Sequence, residues 1–188
     1  MIEHAADLDV GRFLDIGAGD GTTFSNTRAL AMGRWGGVVV EPAAWAFDKL
    51  VALYVDRDDV LPVQAVVTGA TSGLCRFSYS KDDHLSSVDP VHIATWRGKV
   101  PFLDVLAAAI PLGELLDYMP PFSIVSIDAE GLTGELLQAY QRHPAWEDVQ
   151  LICYEHVAPK MHSGRTVLAP PWQLVAETPN NLIYRRAA

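Results

Sequence analysis

Apolar and polar positions alternate along the chain in blocks. Short runs that are apolar almost throughout are followed by longer stretches in which apolar residues recur every three or four positions, the signals of buried strands and amphipathic helices. Residues 12–17 form the first such run, and residues 22–33, rich in helix formers and closed by Gly33, form the first helical stretch. Gly37-Val-Val-Val-Glu41 repeats the strand signal, and Pro42 opens a helix expected over residues 43–55. Residues 60–68 read as a third strand, 74–79 as a weaker one, and the polar stretch 81–90 as a loop. A strand-like piece over 101–109 and a short helix over 112–118 come next. Residues 122–128 and 149–155 are strong strands around an amphipathic helix at 134–142. Residues 172–177 and 182–185 flank Thr-Pro-Asn-Asn, a turn that suits an antiparallel pair.

Strands that are apolar on both faces must be covered on both faces. Five of them interleaved with helices therefore predict a parallel, doubly wound α/β sheet, to which the closing hairpin adds an antiparallel element. The chain has 188 residues, and neither a repeat nor a Pro/Gly-rich linker divides it, so one domain over residues 1–188 is expected. In such sheets ligands lie outside the carboxyl ends of the strands, near the point where strand order reverses. The residues at those ends are the candidates for chemistry.

Composition narrows the partners. Hydrophobic residues make up 49% and charged residues 20%, a composition that folds by itself. The net charge of −9, with no basic block, repels a phosphate backbone, so no nucleic-acid partner is expected. Cys75 and Cys153 sit in apolar stretches and read as buried hydrophobes, not as a disulfide framework or a zinc site. The first residues lack a basic and then apolar leader, and residues 100–112 are broken by Asp104 and Pro111, short of the roughly 20 apolar residues a membrane span needs. The expectation is a soluble, cytoplasmic protein without a membrane partner.

The first strand runs into Asp15-Ile-Gly-Ala-Gly-Asp-Gly21. Glycines at 17, 19 and 21 allow a tight turn and close approach of backbone to a ligand. Against the dinucleotide fingerprint the third glycine comes one residue early, with Thr22 in its place, and Asp20 is unfavourable beside a pyrophosphate. An acidic glycine loop suits a cationic or zwitterionic ligand. Glu41, at the end of the second strand, is placed to accept hydrogen bonds from both ribose hydroxyls of an adenosine. Together these features point to S-adenosylmethionine, which carries positive charge and no phosphate.

Asp-Ile-Gly-Ala-Gly-Asp-Gly with Ser25-Asn26, Trp35-Gly-Gly-Val-Val-Val-Glu-Pro42, Ser126-Ile-Asp-Ala-Glu-Gly131, Tyr154-Glu155-His156 and Thr-Pro-Asn-Asn-Leu-Ile-Tyr184 resemble the FkbM-type S-adenosylmethionine-dependent methyltransferases. The first motif marks the wider class I methyltransferase superfamily, and its combination with the second and third is more specific. The resemblance implies a Rossmann-like, mostly parallel seven-stranded sheet with an antiparallel last strand, and O-methylation of a small molecule or sugar. The expected donor-binding residues are Asp15, Gly17, Ala18, Gly19, Asp20, Glu41, Pro42 and Asp128. Pro159, Pro170 and Pro171 disfavour a full helix between Glu155 and Trp172.

An alcohol must lose its proton as it is methylated. His156 has an ordinary pKa near neutrality and is the first candidate for general base, with Asp128 and Glu130 as the other catalytic candidates. Asp128 and Glu130 with Glu155 or His156 could also hold Mg²⁺. His84 and Ser86, in the polar loop, and Glu155 are the candidates for contact with the acceptor. Two other readings remain open at this point: a non-catalytic relative that binds S-adenosylmethionine, and a nicotinamide-dependent oxidoreductase, against which Asp20 and Thr22 argue.

Overall fold

The computed structural model describes residues 1–80, 85–156 and 167–187. The first half of the chain forms α1 (Ile2–Ala5), β1 (Arg12–Ile16), α2 (Arg28–Met32), β2 (Gly36–Val40), α3 (Ala44–Tyr54), β3 (Val60–Val63), β4 (Val66–Thr68) and β5 (Gly73–Tyr79). The second half forms α4 (Pro90–Trp96), β6 (Leu103–Pro111), α5 (Leu112–Tyr118), β7 (Ile124–Ile127), α6 (Thr133–Gln141), β8 (Leu151–Glu155), β9 (Trp172–Glu177) and β10 (Asn181–Arg186). A 3-10 turn, Pro144–Asp148, precedes β8.

Seven strands make the main sheet in the order β3-β2-β1-β7-β8-β10-β9. β3, β2, β1, β7 and β8 run parallel, and β10 is antiparallel to both β8 and β9. The predicted Rossmann-like, doubly wound sheet with its antiparallel hairpin strand is the observed one. Successive side chains point to opposite faces of a strand, and both faces are buried. Leu14, Ile16, Val38, Val40, Val125 and Ile127 pack on the side of α5 and α6, against Leu112, Leu136 and Tyr140. Phe13, Val39, Ile124 and Cys153 pack on the other side, against Leu30 of α2 and Leu50 of α3. Strand order reverses between β1 and β7, and the ends of β1, β2, β7 and β8 open together there.

Three expectations are corrected. The single strand over 60–68 is two strands in two sheets: Val63 pairs with Val40, and its carbonyl takes the Glu41 N–H at 3.0 Å. The next N–H on that edge, that of Ala43, turns to Glu41 Oε1 at 2.8 Å and leaves the ladder, and Val66–Thr68 pairs with β6 in a separate sheet ordered β4-β6-β5. The helix expected over 22–33 shortens to Arg28–Met32, because Asp20 and Ser25 hold the preceding residues in turns. Helix α4 was not expected; Asp89 caps it and Pro90 begins it. His84 and the stretch 157–166, which holds Pro159, lie outside the described residues. No helix among the described residues is long and apolar enough to cross a membrane.

Candidate active site

The chain leaves β1 through Gly17, Gly19 and Gly21 at φ 82°, 58° and 72°, conformations that favour glycine. A Cβ on Gly17 would collide with the Asp128 carbonyl, so the ends of β1 and β7 approach more closely than any side chain would allow. The N–H groups of Gly17 and Ala18 both donate to the Val40 carbonyl, at 2.9 and 3.0 Å. The Gly19 N–H donates to Glu41 Oε2 at 2.9 Å, and the Ala43 N–H to Glu41 Oε1 at 2.8 Å. Glu41 is thereby clamped between two turns, each oxygen still holding lone pairs for a further donor. Burial pushes its carboxyl up to about 7, against the pull of those two N–H donors. Asp15, also buried, is pushed up to about 6 by burial although Thr27 Oγ1 donates to it at 2.6 Å.

Asp20 is not among the residues that line the cavity at the strand ends. Its carboxylate accepts the N–H groups of Thr22 and Thr23 at 2.9 and 2.7 Å and the Thr23 hydroxyl at 2.9 Å. Burial is the largest single influence and raises its carboxyl, but these donors together outweigh it and hold the group at about 2. It braces the loop from outside the cavity lining.

Beyond the switch point a second group of acids converges. One carboxylate oxygen from each of Asp128, Glu130 and Glu155 lies within 4.8 Å of the others. Burial, and then the neighbouring carboxylates, push Glu130 and Glu155 upward. Among the described residues, Glu155 Oε2 and Asn181 Oδ1 are buried without a hydrogen-bond partner. His92 of α4 places Nδ1 at 3.5 Å from Glu130 Oε2, and Ser87 Oγ donates to the Glu130 carbonyl at 2.5 Å.

One cavity of about 530 Å³ joins the two groups, a size typical of small-molecule sites. Asp15, Gly17, Ala18, Gly19, Glu41 and Pro42 line one side, and Asp128, Glu130, Glu155 and Ser86 line the other. The Ser86 hydroxyl is tied to the Ser80 backbone, accepting its N–H at 2.9 Å. His156 does not reach the lining: its Nε2 faces the Thr178 carbonyl at 3.2 Å and its N–H donates to the Asn180 carbonyl, which fastens it to the β9–β10 turn. Three lining or supporting residues were not singled out from sequence. Phe24 is 92% exposed at φ 55°, Asn181 sits at the start of β10, and His92 lies behind Glu130. The Asp89-Pro90 pair, a cap followed by a helix-starting proline, was the signal that would have put His92 on a helix.

No family model matches the chain, and no curated protein matches it. Solved structures do. yhhF of Escherichia coli, named as a methyltransferase, is 15% identical with a TM-score of 0.58, over 98% of this chain and 81% of that one. Methyltransferase FkbM from Methylobacillus flagellatus KT is 12% identical with a TM-score of 0.56, over 96% of this chain and 45% of that one. The chain thus spans less than half the length of that FkbM protein. At these identities the likeness is one of fold, a fold that these methyltransferases share.

Proposed function

We propose that the protein is an S-adenosylmethionine-dependent methyltransferase that methylates a hydroxyl of a small molecule or sugar. The observation that carries this reading is the continuous cavity in which the glycine turn and Glu41 stand opposite Asp128, Glu130 and Glu155. The residues suit the donor. Gly17 and Gly19 present backbone without Cβ atoms, Glu41 keeps lone pairs for a ribose diol, and the buried Asp15 supports a ligand with cationic groups. S-adenosylmethionine, when bound, supplies a methyl group made electrophilic by its sulfonium.

What the chain adds is positioning and proton removal, and positioning accounts for much of the acceleration in a displacement of this kind. Glu130 is the proposed base. Its carboxyl lines the cavity, and burial with two neighbouring acids pushes it up to about 9, so it is a strong base in the fraction of molecules in which it is ionised, and that fraction takes the proton that the acceptor hydroxyl gives up. It replaces His156 in that role, because the His156 ring is turned to the Thr178 carbonyl. Asp128 and Glu155 flank it and orient the acceptor. The spacing of the three acids also suits Mg²⁺, which takes oxygen ligands. Activity that survives EDTA assigns them to proton transfer; activity lost and restored by Mg²⁺ assigns them to an ion.

Calorimetric titration with S-adenosylhomocysteine tests the reading. Binding by the wild type, weakened in Glu41→Ala, is expected, followed by methyl transfer to members of a panel of hydroxylated acceptors. Absence of binding would overturn the proposal. Binding without turnover on any acceptor would favour the non-catalytic reading.

A further inference from the structure

Phe24 stands where neither burial nor backbone preference would put a phenylalanine. Its side chain is 92% exposed and belongs to none of the apolar clusters that pack the sheets. Its φ of 55° lies in the left-handed region, which glycine and asparagine adopt readily and a bulky residue does not. Arg34 shares that conformation, but its side chain is polar and it lies off the cavity lining. Among the described residues, Phe24 is also the one large exposed apolar residue that lines the cavity; Met32, Val55 and Tyr118 do not. The fold bears two costs at this position, and the position is at the open edge of the candidate site.

The turn that carries the ring is fastened on both sides. Before it, the Asp20 carboxylate accepts the N–H groups of Thr22 and Thr23 and the Thr23 hydroxyl. After it, Ser25 Oγ accepts the N–H groups of Thr27 and Arg28, at 3.4 and 3.1 Å. Asn26 Nδ2 then donates to Ser126 Oγ at 3.3 Å, which ties the turn to β7, the strand that Asp128 and Glu130 follow. The ring is thus presented beside the acceptor-side acids on a turn already braced in place, and little ordering is left to do when a ligand covers it.

We propose that Phe24 determines specificity for the acceptor: its ring covers a flat apolar face that borders the reacting hydroxyl. The role rests on the methyltransferase reading above and narrows its substrate class. The carboxylates of Asp128, Glu130 and Glu155 recognise hydroxyls and do not distinguish the carbon skeletons that carry them. An aromatic ring does, because covering it removes apolar area from water only if the ligand offers a matching face. The aryl ring of a phenol and the C–H face of a pyranose both offer one, whereas a short open-chain polyol does not.

Phe24→Asn removes the ring at a position whose backbone asparagine tolerates, so it should melt no lower than wild type. A lower melting temperature would mean that the ring packs in the fold, against the proposal. Saturation-transfer NMR with catechol, methyl β-glucopyranoside and glycerol, each with and without S-adenosylhomocysteine, reads the contact without turnover. Wild type should transfer to the aryl protons or to the pyranoside C–H protons, and which of the two tells the source of the face. That signal should fall steeply in Phe24→Asn and persist in Phe24→Trp, with glycerol weak and equal throughout. Equal signals from wild type and Phe24→Asn on both flat probes would overturn the proposal. Ring-dependent transfer in a protein that binds no S-adenosylhomocysteine would instead sink the methyltransferase reading and leave the contact standing. In steady-state assays on an accepted flat substrate, Phe24→Asn should raise the acceptor KM about 10-fold with kcat and donor KM little changed. A matching rise in donor KM would assign the ring to the donor and refute the acceptor role.

Discussion

The two halves of the cavity are built by opposite means. The donor side is local: Gly17, Gly19, Glu41 and Ala43 lie within 27 positions, and mostly backbone N–H groups position its one key carboxylate. The acceptor side is gathered from afar. Asp128 and Glu130 follow β7, Glu155 ends β8, Asn181 opens β10, and Ser87 and His92 belong to the segment between β5 and β6. Backbone clamping fixes one geometry regardless of most side chains. A site assembled from side chains on separate elements can be retuned one residue at a time, and in the proposed function that is the half that meets the acceptor.

If the halves are separable, substitutions should split along them. The largest effect is expected from Glu130→Gln: kcat should fall by about 100-fold or more, the usual worth of a positioned base, while calorimetry finds S-adenosylhomocysteine bound as tightly as by wild type. Glu41→Ala should do the reverse. It should weaken S-adenosylhomocysteine about 10- to 100-fold, the range for hydrogen bonds to a charged acceptor, with kcat at saturating donor little changed. A variant that moved both constants together would join the halves into one unit.

The buried acids of the donor side make a thermal prediction. A carboxyl whose pKa is higher folded than unfolded takes up a proton on folding, so stability falls as pH rises from its unfolded pKa, near 4, to its folded one. Asp15 at about 6 and Glu41 at about 7 place that window between pH 4 and 7. The ligand-free protein should melt several degrees higher at pH 5 than at pH 8, and calorimetric scans showing the opposite slope would mean these groups are charged and paired. Smallest is Asp20→Ala. Loss of the acceptor for the Thr22 and Thr23 N–H groups should cost about 1 kcal/mol, comparable to a helix cap, and lower Tm by about 2–4 °C. Donor affinity should change less than in Glu41→Ala, because the Asp20 carboxylate faces the loop and not the cavity.

The same division governs what could be read in advance. Glycine spacing, a strand-end glutamate and a helix-starting proline are local signals, and they put Gly17, Gly19, Glu41 and Pro42 on the cavity lining. Asp128, Glu130 and Glu155 were legible as strand-end acids, though not their approach to within 4.8 Å, which depends on the register of β7 against β8. His156 was misplaced because alternation along β8 predicts which residues lie at the strand end and not where the first residue beyond it turns. Its direction is set by the carbonyls of the β9–β10 turn, more than twenty residues away. The split of 60–68 was hidden for a similar reason: both pieces are apolar, and the ladder ends because the Ala43 N–H, next in line to donate to β3, is taken by the Glu41 side chain.

That split has a spatial consequence. The small sheet is entered just past Val63, whose carbonyl is bonded to the Glu41 N–H, and is left at Pro111, directly beside Thr68. Both chain attachments are at one end, beside Glu41, while Phe77 and Cys75 of β5 and Ala107 of β6 pack with Ala43 and Ala46 at the start of α3. The far end of the sheet, around Tyr79 and Leu103, is linked through Ser78 and Ser87 to the segment that meets Glu130. The small sheet thus runs along the cavity wall, where Phe77 lies, from the Glu41 turn at one end to the segment that meets Glu130 at the other.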